Sequence, residues 1–237
     1  MSGAGDPTHA VRRVLERIVD PHGTTPLPWA VGPLAGARTV LEIGPGVLDA
    51  ELGERRRWLD PEGRVVERGG PAPLPRTLAT PWPLATNAVD GICLLLALSR
   101  LVAIDRVFAE IRRVLRPAGT LVVLTPSVTL RTVPELRLAR LLRPVRRGAW
   151  PNRSGLDNAG WLLAAADFAV MADDRMPFAL PLPDPAAALE AVETLPAAGL
   201  WPPLPADVAE NLAVELAERC GPDRVLPVPV RRLVARR

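Results

Sequence analysis

A mostly parallel β-sheet with helices on both faces is the fold class that the sequence predicts. Two short apolar runs, Thr39–Ile43 and Gly91–Leu96, are rich in β-prone residues and are typical of strands buried on both faces. The segment Ile104–Leu115 has its apolar residues at helical spacing, and weaker segments of the same kind lie along the chain. Strands that alternate with amphipathic helices are typical of α/β domains, so we predict one such domain over residues 1–237.

The first third of the chain is predicted to alternate helices and strands, with one interruption. The expected elements are helices over Thr8–Val19 and residues 48–59 and strands over Thr39–Ile43 and Arg64–Glu67. Residues 68–76, RGGPAPLPR, contain three prolines and two glycines and cannot form a helix. Because parallel strands need a crossover of about a dozen residues, a third strand near Thr77–Thr80 is expected to be short, displaced or absent.

The rest of the chain continues the alternation and adds an insertion. We expect a helix that Pro117 and Gly119 end. The further expected elements are strands over Leu121–Leu124, Phe168–Ala172 and Arg224–Ala235 and helices over Leu156–Ala166, Ala186–Leu195 and Ala209–Ala217. Residues 1–36 are predicted to form an N-terminal helix and cap segment, and residues 177–220 a helical, proline-rich insertion before the last strand.

Composition restricts the classes of function. All 29 basic residues are arginine and the net charge is only +3, so charge gives no reason to expect a nucleic-acid partner. There are two histidines and two cysteines, so neither a multi-histidine metal site nor a disulfide framework is expected. The longest uncharged apolar run, Ile92–Leu98, is too short to span a membrane, and the N-terminal residues lack the apolar core of a signal peptide. We therefore expect a cytoplasmic protein.

The segment Thr39–Gly46, TVLEIGPG, carries the main functional signal. A strand followed at once by Gly44 and Gly46 places a turn without side chains at the end of the strand, where a ligand can approach the backbone. The N–H groups of the next helix point into the same space, and the Glu42 carboxylate can accept hydrogen bonds from a ligand. Ordinary tight turns share this pattern, so the segment alone does not fix a ligand site.

Five segments in order resemble the class I S-adenosylmethionine-dependent methyltransferases that act on small molecules. They are VLEIGPG at 40–46, WPLATNAVDGI at 82–92, FAEIRRVLRPAGTLVVLTPS at 108–127, GWLLAAADFAV at 160–170 and VPVRRLVARR at 228–237. The resemblance implies a Rossmann-like, doubly wound, mostly parallel sheet with a final antiparallel strand. It also implies S-adenosylmethionine as the cofactor, held at the carboxyl ends of the strands.

The resemblance also assigns roles to individual positions. The implied cofactor-binding residues are Glu42, Gly44, Gly46, Glu67, Ala79, Thr80 and Leu96. Glu67 would bind the ribose hydroxyls, a task that suits a carboxylate because it accepts two hydrogen bonds from a diol. Leu78–Thr80 would lie beside the adenine, and Leu96–Leu98 along the inner edge of the cofactor.

The chain departs from the family pattern at four points. Leu48 replaces the third glycine, Leu78 replaces an acid near the adenine amine, Ser99 and Arg100 replace a polar or histidine pair, and the helix after Glu67 is missing. Two alternatives to a methyltransferase therefore stay open. One is a non-catalytic relative that serves as a partner subunit or regulator. The other is an enzyme of this fold that uses the cofactor for different chemistry, such as a cyclisation.

The acceptor is expected to be a small or lipid-like molecule. The candidate pocket residues are Trp29, Trp82 and Arg100, although large aromatic residues more often lie in a core. His22 is the candidate base, with a surface histidine as the alternative. The arginine-rich residues 131–147 could meet an anionic substrate, a lipid surface or a partner, or could form a solvated helix face. We expect a monomer or a homodimer without metal or nucleic acid.

Overall fold

The structure, a computed structural model, describes residues 7–60, 62–66 and 77–237. Its strands are β1 (Val40–Ile43), β2 (Arg56–Leu59), β3 (Val65–Val66), β4 (Val89–Leu95), β5 (Leu115–Pro126), β6 (Ala169–Met176), β7 (Ala179–Pro181), β8 (Val225–Pro227) and β9 (Val230–Arg236). Seven of them form one sheet in the order β3-β2-β1-β4-β5-β9-β6, and β7 pairs with β8.

Ten α-helices and two short 3₁₀ turns are present in the described part of the chain. The helices are α1 (Pro7–Arg17), α2 (Pro26–Val31), α3 (Asp49–Leu52), α4 (Ile104–Val114), α5 (Val133–Arg137), α6 (Arg143–Arg147), α7 (Ser154–Asp157), α8 (Ala159–Ala165), α9 (Pro185–Ala197) and α10 (Ala206–Ala217). The 3₁₀ turns are Gly32–Leu34 and Gly53–Arg55. No helix of the described residues combines the length and the apolar character that a membrane span requires.

The sheet topology confirms the predicted fold class. Strands β2, β1, β4 and β5 run parallel, and β9 pairs antiparallel with both β5 and β6. In this register Glu42 of β1 lies opposite Trp58 of β2 and Cys93 of β4. Parallel strands bring their carboxyl ends to one edge of the sheet, so the segments that follow β1, β2, β4 and β5 all meet at that edge.

Helix α4 shows how the sequence pattern becomes packing. The apolar stripe predicted from its spacing is buried against the sheet, and its members are Val107, Phe108, Ile111 and Val114. Phe108 contacts Phe168 just before β6, with 6.3 Å between the ring centroids. The helix ends at Val114, as the prolines and glycines after it predict.

The second strand is not where the sequence predicts it. Residues 48–59 were expected to be helical, but α3 forms a single turn and the chain then enters β2. Three apolar residues at helical spacing were a weak basis for a helix, and the prediction overlooked that Arg56–Leu59 can pair with β1. Of the expected strand at Arg64–Glu67, the described residues form the two-residue, antiparallel β3. Residues 77–88, as described, contain no strand before β4 begins at Val89.

The Glu110 side chain ties α4 to the segment that leads into β4. Its carboxylate accepts hydrogen bonds from the Trp82 N–H at 2.7 Å and from Arg113 Nε and Nη2 at 2.8 and 2.7 Å. The hydrogen bonds from Arg113 lower the pKa of Glu110, against the effect of burial. The ionised form is therefore the one that stabilises the fold.

We expect Glu110→Gln to lower the free energy of unfolding by about 1–2 kcal/mol near pH 7, the value of a hydrogen bond to a charged group. Because the folded pKa lies below its usual 4.5, this contribution is complete above that pH and is lost as the pH falls through the folded pKa. Urea unfolding of both proteins near pH 7 and near pH 3 measures the difference. The exposed Glu193→Gln serves as control, and an equal deficit at both pH values would contradict the assignment.

Candidate cofactor site

The Glu42 side chain of β1 holds the turn that follows this strand. Its carboxylate accepts hydrogen bonds from the N–H groups of Val47 and Leu48 at 2.8 and 3.2 Å, and from Arg56 Nε at 2.7 Å. Both side chains of this ion pair are buried, with 2% of Arg56 and none of Glu42 exposed. Glu42 therefore joins the glycine turn to β2, and its oxygen atoms already have partners within the chain.

Opposing effects act on the Glu42 carboxyl group. Burial raises its pKa, while the Arg56 charge and the two backbone N–H groups work against that rise. Arg56 is itself incompletely satisfied, because its Nη2 is buried without a hydrogen-bond partner. Such a buried pair is costly to break, since removal of either partner leaves an uncompensated charge.

Both glycines of the turn have an internal reason to be glycine. A Cβ on Gly44 would lie 2.6 Å from the carbonyl oxygen of Leu95 in β4. Gly46 has φ +76°, and a Cβ there would lie 2.8 Å from the Trp58 ring. The same ring donates a hydrogen bond from Nε1 to the Gly44 carbonyl oxygen at 3.1 Å. The turn thus fits closely against β2 and β4, and all residues 41–48 are buried.

A second acid lies at the carboxyl end of β2, and sequence reasoning missed it. Asp60 follows β2 directly and is 3% exposed. Its carboxylate accepts the Arg64 N–H and Arg64 Nε, each at 2.7 Å, and closes the turn toward β3. Burial alone would raise the Asp60 pKa, but the bonds from Arg64 lower it. The sequence analysis placed the second strand at Arg64–Glu67, so Asp60 was not recognised as the residue that follows a strand. The apolar pair Trp58–Leu59 directly before an acid was the sequence signal that could have identified it.

The remaining predicted cofactor residues are placed around the same edge. Leu96, just after β4, is buried and has φ +54°, an unusual backbone conformation for a leucine. Ala79 lies against Gly63 in the turn that Asp60 closes, and a Cβ on Gly63 would be 3.0 Å from the Ala79 Cβ. Thr80 follows it and is half-buried. Glu67 lies outside the described residues.

The donor chemistry of this edge fits S-adenosylmethionine, but its groups are engaged internally. A turn without side chains and acids at the ends of adjacent strands are what a nucleoside with an amino-acid tail requires. Glu42 is paired with Arg56, whose side chain is 2% exposed. Asp60 is held by Arg64, whose side chain is 72% exposed. Of the two carboxylates, Asp60 therefore has the more exposed charged partner.

The other predicted site residues are not brought together. Trp82 is buried beside Glu110 and Arg113 before β4 begins, at the opposite edge of the sheet. Trp29 is half-buried and stacks on Arg232 of β9, with 4.4 Å between the guanidinium carbon and the ring centroid. Arg100 donates to the Pro196 carbonyl oxygen at 2.8 Å. His22 is exposed in the turn after α1, where its backbone N–H bonds to Asp20.

Two cavities flank the segment Ser127–Thr129, which follows β5 at the carboxyl edge. One is apolar, has a volume of about 50 Å³, and is lined among others by Glu135, Trp150 and Trp201. The other is a polar cleft of about 460 Å³. Its charged lining residues are Arg131, Asp157, Asp173, Arg175 and Arg231. Of the arginine-rich segment 131–147, Arg131 alone is among the residues that line this cleft.

No metal centre accompanies these cavities in the described part of the chain, where no three His, Cys, Asp or Glu residues come together. Sequence reasoning singled out none of Glu135, Trp150 and Trp201. The spacing Thr132–Glu135 was a usable signal, because it forms a capping box at the start of α5.

Comparison with known families supports the methyltransferase resemblance. A family model described as "Methyltransferase domain" matches residues 69–123, the part that leads into β4 and continues through α4 into β5. No curated protein sequence matches the chain. The domain match, together with the fold, supports a methyltransferase.

Solved structures share the fold, among them two that are described as putative methyltransferases. A putative methyltransferase from an antibiotic biosynthesis pathway of Anabaena variabilis has a TM-score of 0.53 and 18% identity, with 93% of this chain and 98% of that chain covered. A putative type II methyltransferase from Anaeromyxobacter dehalogenans has a TM-score of 0.51 and 22% identity, with 93% and 96% covered. The YcgJ protein of Bacillus subtilis has a TM-score of 0.51 and 13% identity, with 88% and 98% covered.

We expect Gly46→Ala to lower the free energy of unfolding by about 3 kcal/mol, because the new Cβ would meet the Trp58 ring as well as an unfavourable φ. The matched control is Gly23→Ala, which has a similar φ of +80° but nothing within 4 Å of a Cβ, and should cost about 1 kcal/mol. Urea unfolding compares the two variants. Equal losses would show that contact with Trp58 does not constrain position 46.

Proposed function

We propose that the protein transfers a methyl group from S-adenosylmethionine to a small-molecule or lipid-like acceptor. The observation that supports this best is the arrangement at the carboxyl edge of the sheet. There the glycine turn after β1 lies between the acid after β2 and the end of β4. The match to a methyltransferase domain over residues 69–123 agrees with this proposal.

The cofactor itself supplies an activated methyl group on a sulfonium sulfur. The chain then has to bind the two reactants, align them and keep water out, and good alignment alone can contribute about 7–11 kcal/mol to the rate. A general base is needed only for an acceptor that must lose a proton. The activity therefore does not require a catalytic dyad among the described residues of this edge.

In this proposal the two acids have different tasks. Glu42 shapes the turn, because its oxygen atoms are held by Arg56 and by the backbone N–H groups of the turn. Asp60 binds the ribose hydroxyls after its exposed partner Arg64 moves away. Ala79 and Thr80, next to the Asp60 turn, lie beside the adenine, and Leu96 borders the cofactor from β4.

A second candidate function is favoured by one observation. The turn at 44–46 is buried, and the Trp58 ring packs against it from β2. A methyltransferase-like protein that has lost its cofactor could keep the glycines and Glu42 for these internal contacts alone. It would then act as a binding or regulatory subunit.

Calorimetric titration with S-adenosylmethionine and S-adenosylhomocysteine distinguishes the two functions. We expect saturable binding by the unaltered protein, weakened about tenfold or more by Asp60→Asn, because a hydrogen bond to a charged group is lost. The control is Glu62→Gln, which removes an acid that is 63% exposed from the same turn. Binding by the protein should remain unchanged in that control.

Two outcomes would change the assignment. If Glu67→Gln weakens binding and Asp60→Asn does not, the ribose role belongs to Glu67, as the sequence resemblance implies. If the unaltered protein shows no heat with either compound at high concentration, the proposal is wrong and the non-catalytic function takes its place.

A further inference from the structure

The segment 131–147, which follows β5, has a large excess of positive charge. It contains six arginines and a single acid, Glu135. The whole chain has a net charge of only +3, so the rest of the chain has more acids than bases. Glu135 is 3% exposed and forms an ion pair with Arg175 at 2.8 Å. The outer surface of the segment therefore has positive charge without an acid of its own.

The segment has a buried side and an exposed side. Leu138, Leu142 and Val145, at a spacing of three or four residues, pack against the core. The Leu142 N–H bonds to the Leu138 carbonyl oxygen at 2.8 Å, and the Arg146 N–H to the Leu142 carbonyl oxygen at 3.0 Å, so the chain between α5 and α6 keeps a helical path. Seven exposed residues of the segment form a surface that we call the basic strip. They are Arg131, Val133, Leu136, Arg137, Arg140, Arg143 and Arg147.

The five arginines of the basic strip are available to an external partner. None of their side chains forms a hydrogen bond or an ion pair with another residue in the described part of the chain. Arg131 lines the polar cleft after β5, and Arg137 lines a second cleft of about 470 Å³. Each of these clefts contains three arginines and two acids, so neither supplies negative charge that would neutralise the strip. An anion can therefore contact these arginines without displacing an internal partner.

Two apolar side chains of the basic strip indicate which kind of anionic partner fits it. Val133 and Leu136 are each 59% exposed, and they lie three residues apart in α5, on one face of that helix. At a bilayer surface, apolar side chains enter the boundary of the acyl chains while arginines contact the lipid phosphates. A nucleic acid offers phosphates without an apolar layer, and the segment has no aromatic residue for base stacking. The strip therefore favours a lipid surface.

We propose that the basic strip docks the protein on a membrane surface that contains anionic lipids. Strand β5 ends at Pro126 and the strip begins at Arg131, so the docked surface adjoins the carboxyl edge of the sheet. Arg131 also lines the polar cleft, which places that cleft beside the membrane. The methyl acceptor is then a lipid or another amphiphile that resides in the membrane, an assignment that rests on the proposed methyl transfer.

Sedimentation with lipid vesicles tests the docking on the cofactor-free, full-length protein. The probes are vesicles of phosphatidylcholine alone and vesicles in which about one quarter of the lipid is phosphatidylglycerol. We expect the protein to sediment with the anionic vesicles and not with the neutral ones. Binding should weaken when the salt concentration is raised from about 0.1 M to about 0.5 M, because salt screens exposed charges.

A pair of charge variants tests whether the basic strip is the docking surface. One arginine near an anionic surface contributes about fivefold to binding, so Arg137→Gln with Arg140→Gln should weaken binding about tenfold or more. The matched control is Arg38→Gln with Arg236→Gln, which removes the same charge from two exposed residues at the opposite edge of the sheet. We expect the control to bind almost as well as the unaltered protein.

A second pair of variants tests the apolar contact. Leu136→Ser should weaken binding to the anionic vesicles about fivefold, because less apolar surface is buried at the bilayer. Leu189→Ser, at a residue of α9 that is 53% exposed, should leave binding unchanged. Both side chains are largely exposed, so neither substitution removes a core contact.

Several results would overturn the proposal. They are equal sedimentation with neutral and anionic vesicles, no sedimentation with either, and equal losses in the two charge variants. Tighter binding to a short DNA duplex, with no loss in Leu136→Ser, would make the strip a nucleic-acid surface instead. If S-adenosylmethionine fails to bind in the calorimetric titration while the vesicle results hold, the docking surface stands and only the lipid acceptor is withdrawn.

Discussion

The position of the glycine turn against the neighbouring strand depends on the buried contact between Glu42 and Arg56. The Glu42 carboxylate holds the backbone N–H groups of the turn after β1, and Arg56 couples that turn to the neighbouring strand. In a fold of this kind the N-terminus of the following helix usually organises such a turn. Here α3 is a single turn, so a side chain from within β1 performs this task instead. The glycine turn is closed and buried because the Glu42 side chain, and not a helix N-terminus, holds its backbone N–H groups.

Trp58 provides the second half of the same arrangement. Trp58 lies two residues after Arg56 in β2, so both side chains lie on the same face of the sheet. The Trp58 ring packs under Gly46 and donates to the Gly44 carbonyl oxygen. Glycines at these positions are thus required by packing inside the protein. Internal packing and close approach of a ligand both require a residue without a Cβ. The glycine motif in a sequence therefore does not tell which of the two requirements applies.

Much of the fold could be predicted from the sequence, and the failures have a common cause. Strand β4, helix α4 and the last strand were found because long, strongly patterned segments identify their own structure. Strand β2 was missed because four residues with two arginines have no strand pattern of their own; they become a strand by pairing with β1. Because of this error Asp60, directly after β2, was not singled out, while the prediction for Glu67, outside the described residues, stays a prediction. Glu135, Trp150 and Trp201 could not be grouped from sequence, because the fold alone brings their distant segments together.

The position of β9 has a consequence for how the molecule assembles. This strand lies between β5 and β6, although it follows both of them in the chain, and its pairing joins Pro126 to Val230. Strand β6 cannot pair into the sheet before β9 does, because β9 is the strand with which it pairs. Such distant pairing makes loop closure slow and delays completion of the fold. During synthesis this edge of β5 therefore stays without its neighbouring strand until the segment that carries β9 emerges.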